Sequence, residues 1–235
     1  MKYINRSLVE EPEILRGQAA PAMDDKIDSK IYGHEDVKTA LKELQHGICC
    51  YCESCYKSTT FGDVEHYRPK GFYQQHKDDK QHRPGYYWLA YKWENLMYAC
   101  EVCNRIYKKN YFPLKDPTKR FDKDLRNISQ EEPLLINPYE EKNPGKHLTF
   151  DENRIIPLTD EGKASIEYYG LDRVELDESR LQIYNPIMTL AKLLQIAKGS
   201  KLEQPTMDEL KKTINDNLST GRYTLMIKCN FGQYL

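Results

Sequence analysis

The chain lacks long apolar runs: nothing in its 235 residues approaches the roughly 20 consecutive apolar positions that a membrane-spanning helix needs. Its first residues, Met1-Lys2-Tyr3-Ile4-Asn5, contain no apolar stretch of the kind a secretory signal uses. It also lacks net charge, with a formal value of −1 at neutral pH, which argues against coating a polyanion by bulk electrostatics. Internal repeats and low-complexity tracts are missing, so solenoid and fibrous architectures are excluded. At 39% hydrophobic and 30% charged residues, the composition is that of a folded chain long enough to bury a core. The expectation is a cytoplasmic protein with no membrane partner. In that reducing compartment the seven cysteines would not pair as disulfides, and their clustering points to metal.

What the chain does have is concentrated between Cys49 and Lys109. Two Cys-x-x-Cys pairs, Cys49/Cys52 and Cys100/Cys103, offer the four thiolates that tetrahedral zinc takes. The 47 residues between the pairs exceed the spacing of a simple zinc ribbon, so a substructure must lie between them. Cys52/Cys55 has the same spacing and Cys50 is adjacent, which leaves the choice of ligand at the first pair open. Cys229, alone near the C-terminus, is expected in the core. Charge is unevenly spread: residues 66–120 hold 12 Lys+Arg against 5 Asp+Glu, and residues 121–180 hold 8 against 15. The first block could attract phosphates, whereas the second suits a protein partner or plain solvent.

Local patterns place these residues on elements. Val37, Leu41 and Leu44 form the apolar stripe of a helix over His34–His46, ended by Gly47. Thr59–His66 reads as a strand, and Asn104–Lys109 as the opening of a helix. The aromatic run Tyr86, Tyr87, Trp88, Tyr91, Trp93 is read mainly as core packing, with base stacking the rival reading. Further on, Leu148–Phe150 and Arg154–Leu158 predict a hairpin around Asp151-Glu152-Asn153. Helices are predicted over 164–169, 174–198 and 207–217, with Pro186 starting, ending or kinking the second. Ile187, Leu190, Leu193 and Leu194 give that helix its apolar stripe.

Inside the bracketed stretch lies Glu65-His66. A histidine whose ordinary pKa is about 6.5 can deprotonate water near neutral pH. Neighbouring strand residues point to opposite sides, so Glu65 cannot share that task but can bind a divalent cation. Asp63 is a candidate auxiliary or structural acid.

The order Cys-x-x-Cys, acid–His, Asn-Leu, Cys-x-x-Cys-Asn resembles the zinc-stabilised HNH endonucleases. More narrowly, Leu44–Glu53, Glu65-His66-Tyr67-Arg68-Pro69-Lys70 and Trp93-Glu94-Asn95-Leu96 resemble the HNH component of Septu-type and retron-linked antiphage systems. Leu135-Ile136-Asn137-Pro138 and Tyr169-Gly170-Leu171-Asp172-Arg173 fit the same group, so the resemblance spans roughly residues 40–180. It implies an α+β fold: a small zinc-stabilised ββα-metal core (46–120) between an N-terminal segment and helix (1–45) and a mostly helical C-terminal region (121–235) that could dock a partner. It implies His66 as general base and Asn95 as the residue that ties the loop and orients it. Glu65, where many relatives have aspartate, and Asn104 would hold a catalytic Mg²⁺ or Mn²⁺. Arg68, Lys70, Arg105 and Lys108 would contact phosphates, and zinc on Cys49, Cys52, Cys100 and Cys103 would be structural. The implied partners are a nucleic-acid substrate, an SMC/ABC-like ATPase encoded alongside, and a retron reverse transcriptase with its msDNA. Two other readings stand beside this one. The first is a non-catalytic zinc module that binds nucleic acid or protein, and the second is a stand-alone nuclease for modified DNA. Nothing in the sequence separates DNA from RNA.

Overall fold

The computed structural model describes residues 1–55, 62–122 and 126–235. A short helix, α1 (Ser29–Tyr32), leads into α2 (Glu35–Leu44), which is capped by the His34 side chain on the Asp36 amide. Val37, Leu41 and Leu44 are buried along one face of α2, as their spacing predicts. His46 and Gly47 take positive φ and turn the chain out of the helix into the first cysteine pair. Gln45 then works as a false strand. Its buried side chain accepts from the Tyr98 amide at 2.8 Å and donates to the Tyr98 carbonyl at 2.6 Å, fixing the end of α2 to the strand beyond.

That strand is half of a hairpin. β1 (Gly62–His66) pairs antiparallel with β2 (Leu96–Cys100), with Glu65 opposite Met97 and His66 opposite Leu96. The expected strand positions Thr59, Thr60 and Phe61 lie outside the described residues. The connection between the strands is packed on aromatic rings: Tyr86, Tyr87, Trp88, Tyr91 and Trp93 are all buried, which decides for core over base stacking. Directly after β2 the chain winds into a π-helical segment, Val102–Lys108, closed by the Lys109 amide on the Asn104 carbonyl at 2.8 Å. Two antiparallel strands followed by a helical turn thus occupy the middle of the chain.

The C-terminal part adds a second hairpin, β3 (Leu148–Asp151) with β4 (Arg154–Pro157), and four helices. α3 (Asp160–Tyr169) begins on the Thr159 side chain and ends at Gly170 with φ +62°. A Cβ at Gly170 would meet the Tyr107 ring at 2.5 Å, so glycine lets α3 lie against the π segment. α4 (Val174–Ala197) runs through Pro186, α5 (Glu203–Ser219) packs on α4, and α6 (Thr224–Phe231) packs on β3. One apolar cluster runs from Met1 and Ile4 through Leu96 and Tyr169 to Phe231.

Two expectations need correction. Cys229 is exposed, because α6 buries Met226, Ile227 and Phe231 and turns the Cys229 side away. Leu193 is also exposed, because the α4 face that meets the core carries Ile187, Ala191 and Leu194. α6 itself was not foreseen by the pattern.

Candidate functional site

Cys49, Cys52, Cys100 and Cys103 come together with their sulfurs all within 4.8 Å of one another, and all four are buried. The Cys52 and Cys100 sulfurs are 3.8 Å apart, matching the separation of about 3.8 Å that tetrahedral zinc with ~2.3 Å bonds imposes. Amide donors suit thiolate charge: Cys100 N–H points at the Cys49 sulfur at 3.3 Å, and Cys103 N–H at the Cys100 sulfur at 3.5 Å. The Arg173 guanidinium donates to the Cys103 sulfur at 3.5 Å. These four cysteines could therefore hold a zinc ion. Cys50 and Cys55 are not in the cluster, which resolves the ambiguity at the first pair.

About one strand length away, β1 ends on Glu65 and His66. His66 is buried, with its Nε2 at 3.0 Å from the Ala90 carbonyl. A carbonyl only accepts, so Nε2 carries the proton and Nδ1 keeps its lone pair. Nδ1 faces Lys70 Nζ at 3.3 Å. The Tyr32 ring meets the imidazole edge-on at 4.7 Å, and Lys70 Nζ lies 4.5 Å from the centre of the same ring. Burial, and then the Lys70 charge, push the His66 pKa well below its ordinary value, so the ring is neutral. Asn95 staples the loop that carries these groups. Its side chain accepts from the Arg68 amide at 2.8 Å and donates to the carbonyls of Arg68 at 3.0 Å and Leu89 at 3.2 Å.

Glu65 points towards the π segment, where Lys108 Nζ sits 2.5 Å from its Oε1. Lys108 also donates to the His66 carbonyl at 2.9 Å, so one ammonium grips both residues of the dipeptide. Asn104 donates to Asp63 at 3.2 Å, and Asp63 in turn holds Arg105 through two bonds of 2.7 Å. Glu65, His66, Lys70, Asn104 and Arg105 all line one open cleft of about 370 Å³. Glu65 and Asn104 both line this cleft, and a carboxylate with an amide oxygen is the type of donor that Mg²⁺ or Mn²⁺ takes, although Glu65 Oε1 is held by Lys108 here.

No protein-family profile and no solved structure matches the chain. Two curated proteins do. The Septu protein PtuB of Bacillus mycoides (strain KBAB4) is 37% identical over 210 residues, which cover 83% of this chain and 69% of PtuB. The chain belongs to the Septu PtuB family. The Septu protein PtuA of the same strain is 26% identical over 172 residues, 73% of this chain but 24% of PtuA, so the likeness there is to a fraction of a longer protein. Septu is an antiphage defence system, and this chain is similar to two of its components. Among the described residues no helix is long and apolar enough to cross a membrane.

Two residues of this Septu chain that its sequence assigns to phosphate contacts stand elsewhere. Lys108 is fully buried in its pairing with Glu65. Arg68 is ion-paired with Glu131 and lies over the rings of Tyr86 and Phe112. Glu131 is a buried acid that also takes the Tyr86 hydroxyl and the Phe121 amide, and Arg68 neutralises it. Conversely, Lys109 and Asn110 line the cleft and were not singled out from the sequence. The positive φ of Lys109 ends the π segment and brings both to the cleft mouth, which residue type alone does not signal.

Proposed function

We propose that this chain is a metal-dependent endonuclease of the HNH type, with β1, β2 and Val102–Lys108 as its ββα-metal core. The observation that carries the reading is the orientation of His66. With Nε2–H committed to the Ala90 carbonyl, the unprotonated Nδ1 is left facing Lys70, and His66, Lys70, Glu65 and Asn104 line one cleft. In this reading water attacks phosphorus while Nδ1 takes its proton, the bond to the 3′ oxygen breaks, and solvent protonates that oxygen. The products are a 5′ phosphate and a 3′ hydroxyl. Lys70 caps Nδ1 at 3.3 Å, and exchanging the imidazole for a substrate phosphate would uncover the lone pair. Asn95 keeps the ring in register through the loop it staples. Glu65 and Asn104 would hold Mg²⁺ or Mn²⁺, which when bound stabilises charge on the phosphoryl and leaving oxygens. The four-cysteine zinc would be structural.

Membership of the Septu family supports placing this nuclease as the effector of an antiphage complex. Its partners would be an SMC/ABC-like ATPase and, in retron-linked versions, a reverse transcriptase with its msDNA. The test is co-expression with the neighbouring ATPase, followed by incubation with labelled DNA and total RNA in Mg²⁺. Cleavage of one polymer, abolished in His66→Ala with zinc content unchanged, is the expected result. Equal cleavage by the His66→Ala complex would overturn the assignment. The Glu65–Lys108 pair, at 2.5 Å, favours one rival, a non-catalytic zinc module in which the carboxylate is structural. Antiphage protection that survives Glu65→Gln combined with Asn104→Ala would favour that rival.

A further inference from the structure

A second cleft, of about 720 Å³, opens beside the first and shares Val64, Lys70, Asn104 and Arg105 with it. Its far wall is not part of the cysteine-bracketed stretch. It is formed by the N-terminal segment: Ser29, Tyr32 and Gly33 at α1, and Glu35, Lys38 and Lys42 on α2. Lys38 and Lys42 stand one turn apart on the same face of α2, with Nζ atoms 3.4 Å and 3.9 Å from Glu35. One carboxylate between two ammoniums leaves a surplus positive charge on that wall.

The other charges along the joined clefts are settled differently. Asp63 is matched by Arg105 and Glu65 by Lys108, which leaves Lys70 at the join and the exposed Lys109 at the cleft mouth. Among the described residues, none from the acidic stretch 121–180 lines either cleft. The result is a groove whose uncompensated charge is positive from α2 to His66, in a chain whose overall charge is −1. A field confined to one groove attracts a polyanion there without making the rest of the surface adhesive.

We propose that the α2 groove holds the phosphodiester backbone of the substrate on its way into the His66 cleft, with Lys38 and Lys42 as its phosphate contacts. This rests on the nuclease reading above. It makes the N-terminal helix part of the substrate site rather than a support for the zinc centre.

The test measures binding of labelled duplex DNA, single-stranded DNA and tRNA to the full chain carrying His66→Ala, over a range of salt concentrations. Lys38→Glu with Lys42→Glu is compared with Lys211→Glu with Lys212→Glu, an equal charge change at exposed positions of α5. The α2 pair should weaken binding roughly tenfold or more. It should also lower the slope of log affinity on log salt by about 1.8 on duplex or about 1.4 on a single strand. The α5 pair should leave the slope unchanged. The polymer showing the larger loss identifies the substrate. An unchanged slope in the α2 pair, or equal weakening by both pairs, overturns the groove. If His66-dependent cleavage persists in that case, the nuclease reading stands without it. If cleavage never depends on His66, both fail.

Discussion

Lys108 has exchanged its whole hydration shell for two partners, Glu65 Oε1 at 2.5 Å and the His66 carbonyl at 2.9 Å. Burying both charges costs about as much as their attraction returns, so the pair adds little net stability, but removing one member strands the other. Lys108→Met is expected to destabilise the fold by about 3–5 kcal/mol in denaturant melts. Adding Glu65→Gln should recover a large part of that loss. A cost below about 1 kcal/mol for Lys108→Met would mean that the ammonium is solvated and the pair does not form. This residue also marks a limit of sequence reading. A lysine in a basic stretch reads as exposed, and only the return of β1 beside the π segment supplies the buried carboxylate that holds it. The cysteines were legible because zinc chemistry needs that spacing whatever the fold. Motif order singled out His66, Asn95 and Asn104, but not that His66 and Asn104 line one cleft while Asn95 staples the loop beside it.

The elements were readable where one face alone decides burial. α2 matches its apolar stripe, and the β3–β4 hairpin matches its turn. α4 and α6 were harder, because the long α4 is touched on several sides and the eight-residue α6 is too short to show a stripe, as exposed Leu193 and Cys229 show. The start of α3 carries a pH signature. Lys115 holds Glu161 at 2.5 Å in the first helical turn, and this bond first of all lowers the carboxyl from its ordinary 4.5 to about 2. A depressed carboxyl pKa stabilises the fold at pH values above 4.5, and that contribution is lost as pH falls from there through about 2. Glu161→Gln should therefore lower the melting temperature at pH 7, with the gap to the native chain narrowing below pH 4.5. A gap that is constant from pH 7 to pH 3 would show that the ion pair does not contribute.

The cysteine cluster ties distant parts of the whole molecule together. Glu53, inside the first cysteine turn, takes the Met1 amino group at 2.6 Å and the Thr224 amide at 2.6 Å. Arg173 reaches the cluster from the start of α4. The sequence suggested three successive regions, and nothing in a linear pattern could show that one buried glutamate joins the first to the last. Removing zinc with a chelator is expected to release one ion per chain and to expose both the N-terminal segment and α4–α6 to protease. If residues 121–235 stay protected after zinc is lost, those links do not transmit the unfolding.

The guarding of the four sulfurs also sets how the protein meets oxidants. Cys49 and Cys103 are wholly buried, Cys52 is nearly so, and Cys100 is the most open at 6%. The Arg173 guanidinium also covers the Cys103 sulfur at 3.5 Å. Peroxide would reach the cluster first at Cys100, the last residue of β2 and the partner of Gly62. The first lesion would take a ligand from the cluster at the end of the β1–β2 hairpin, so oxidation would loosen that hairpin together with the segments that the cluster ties to it.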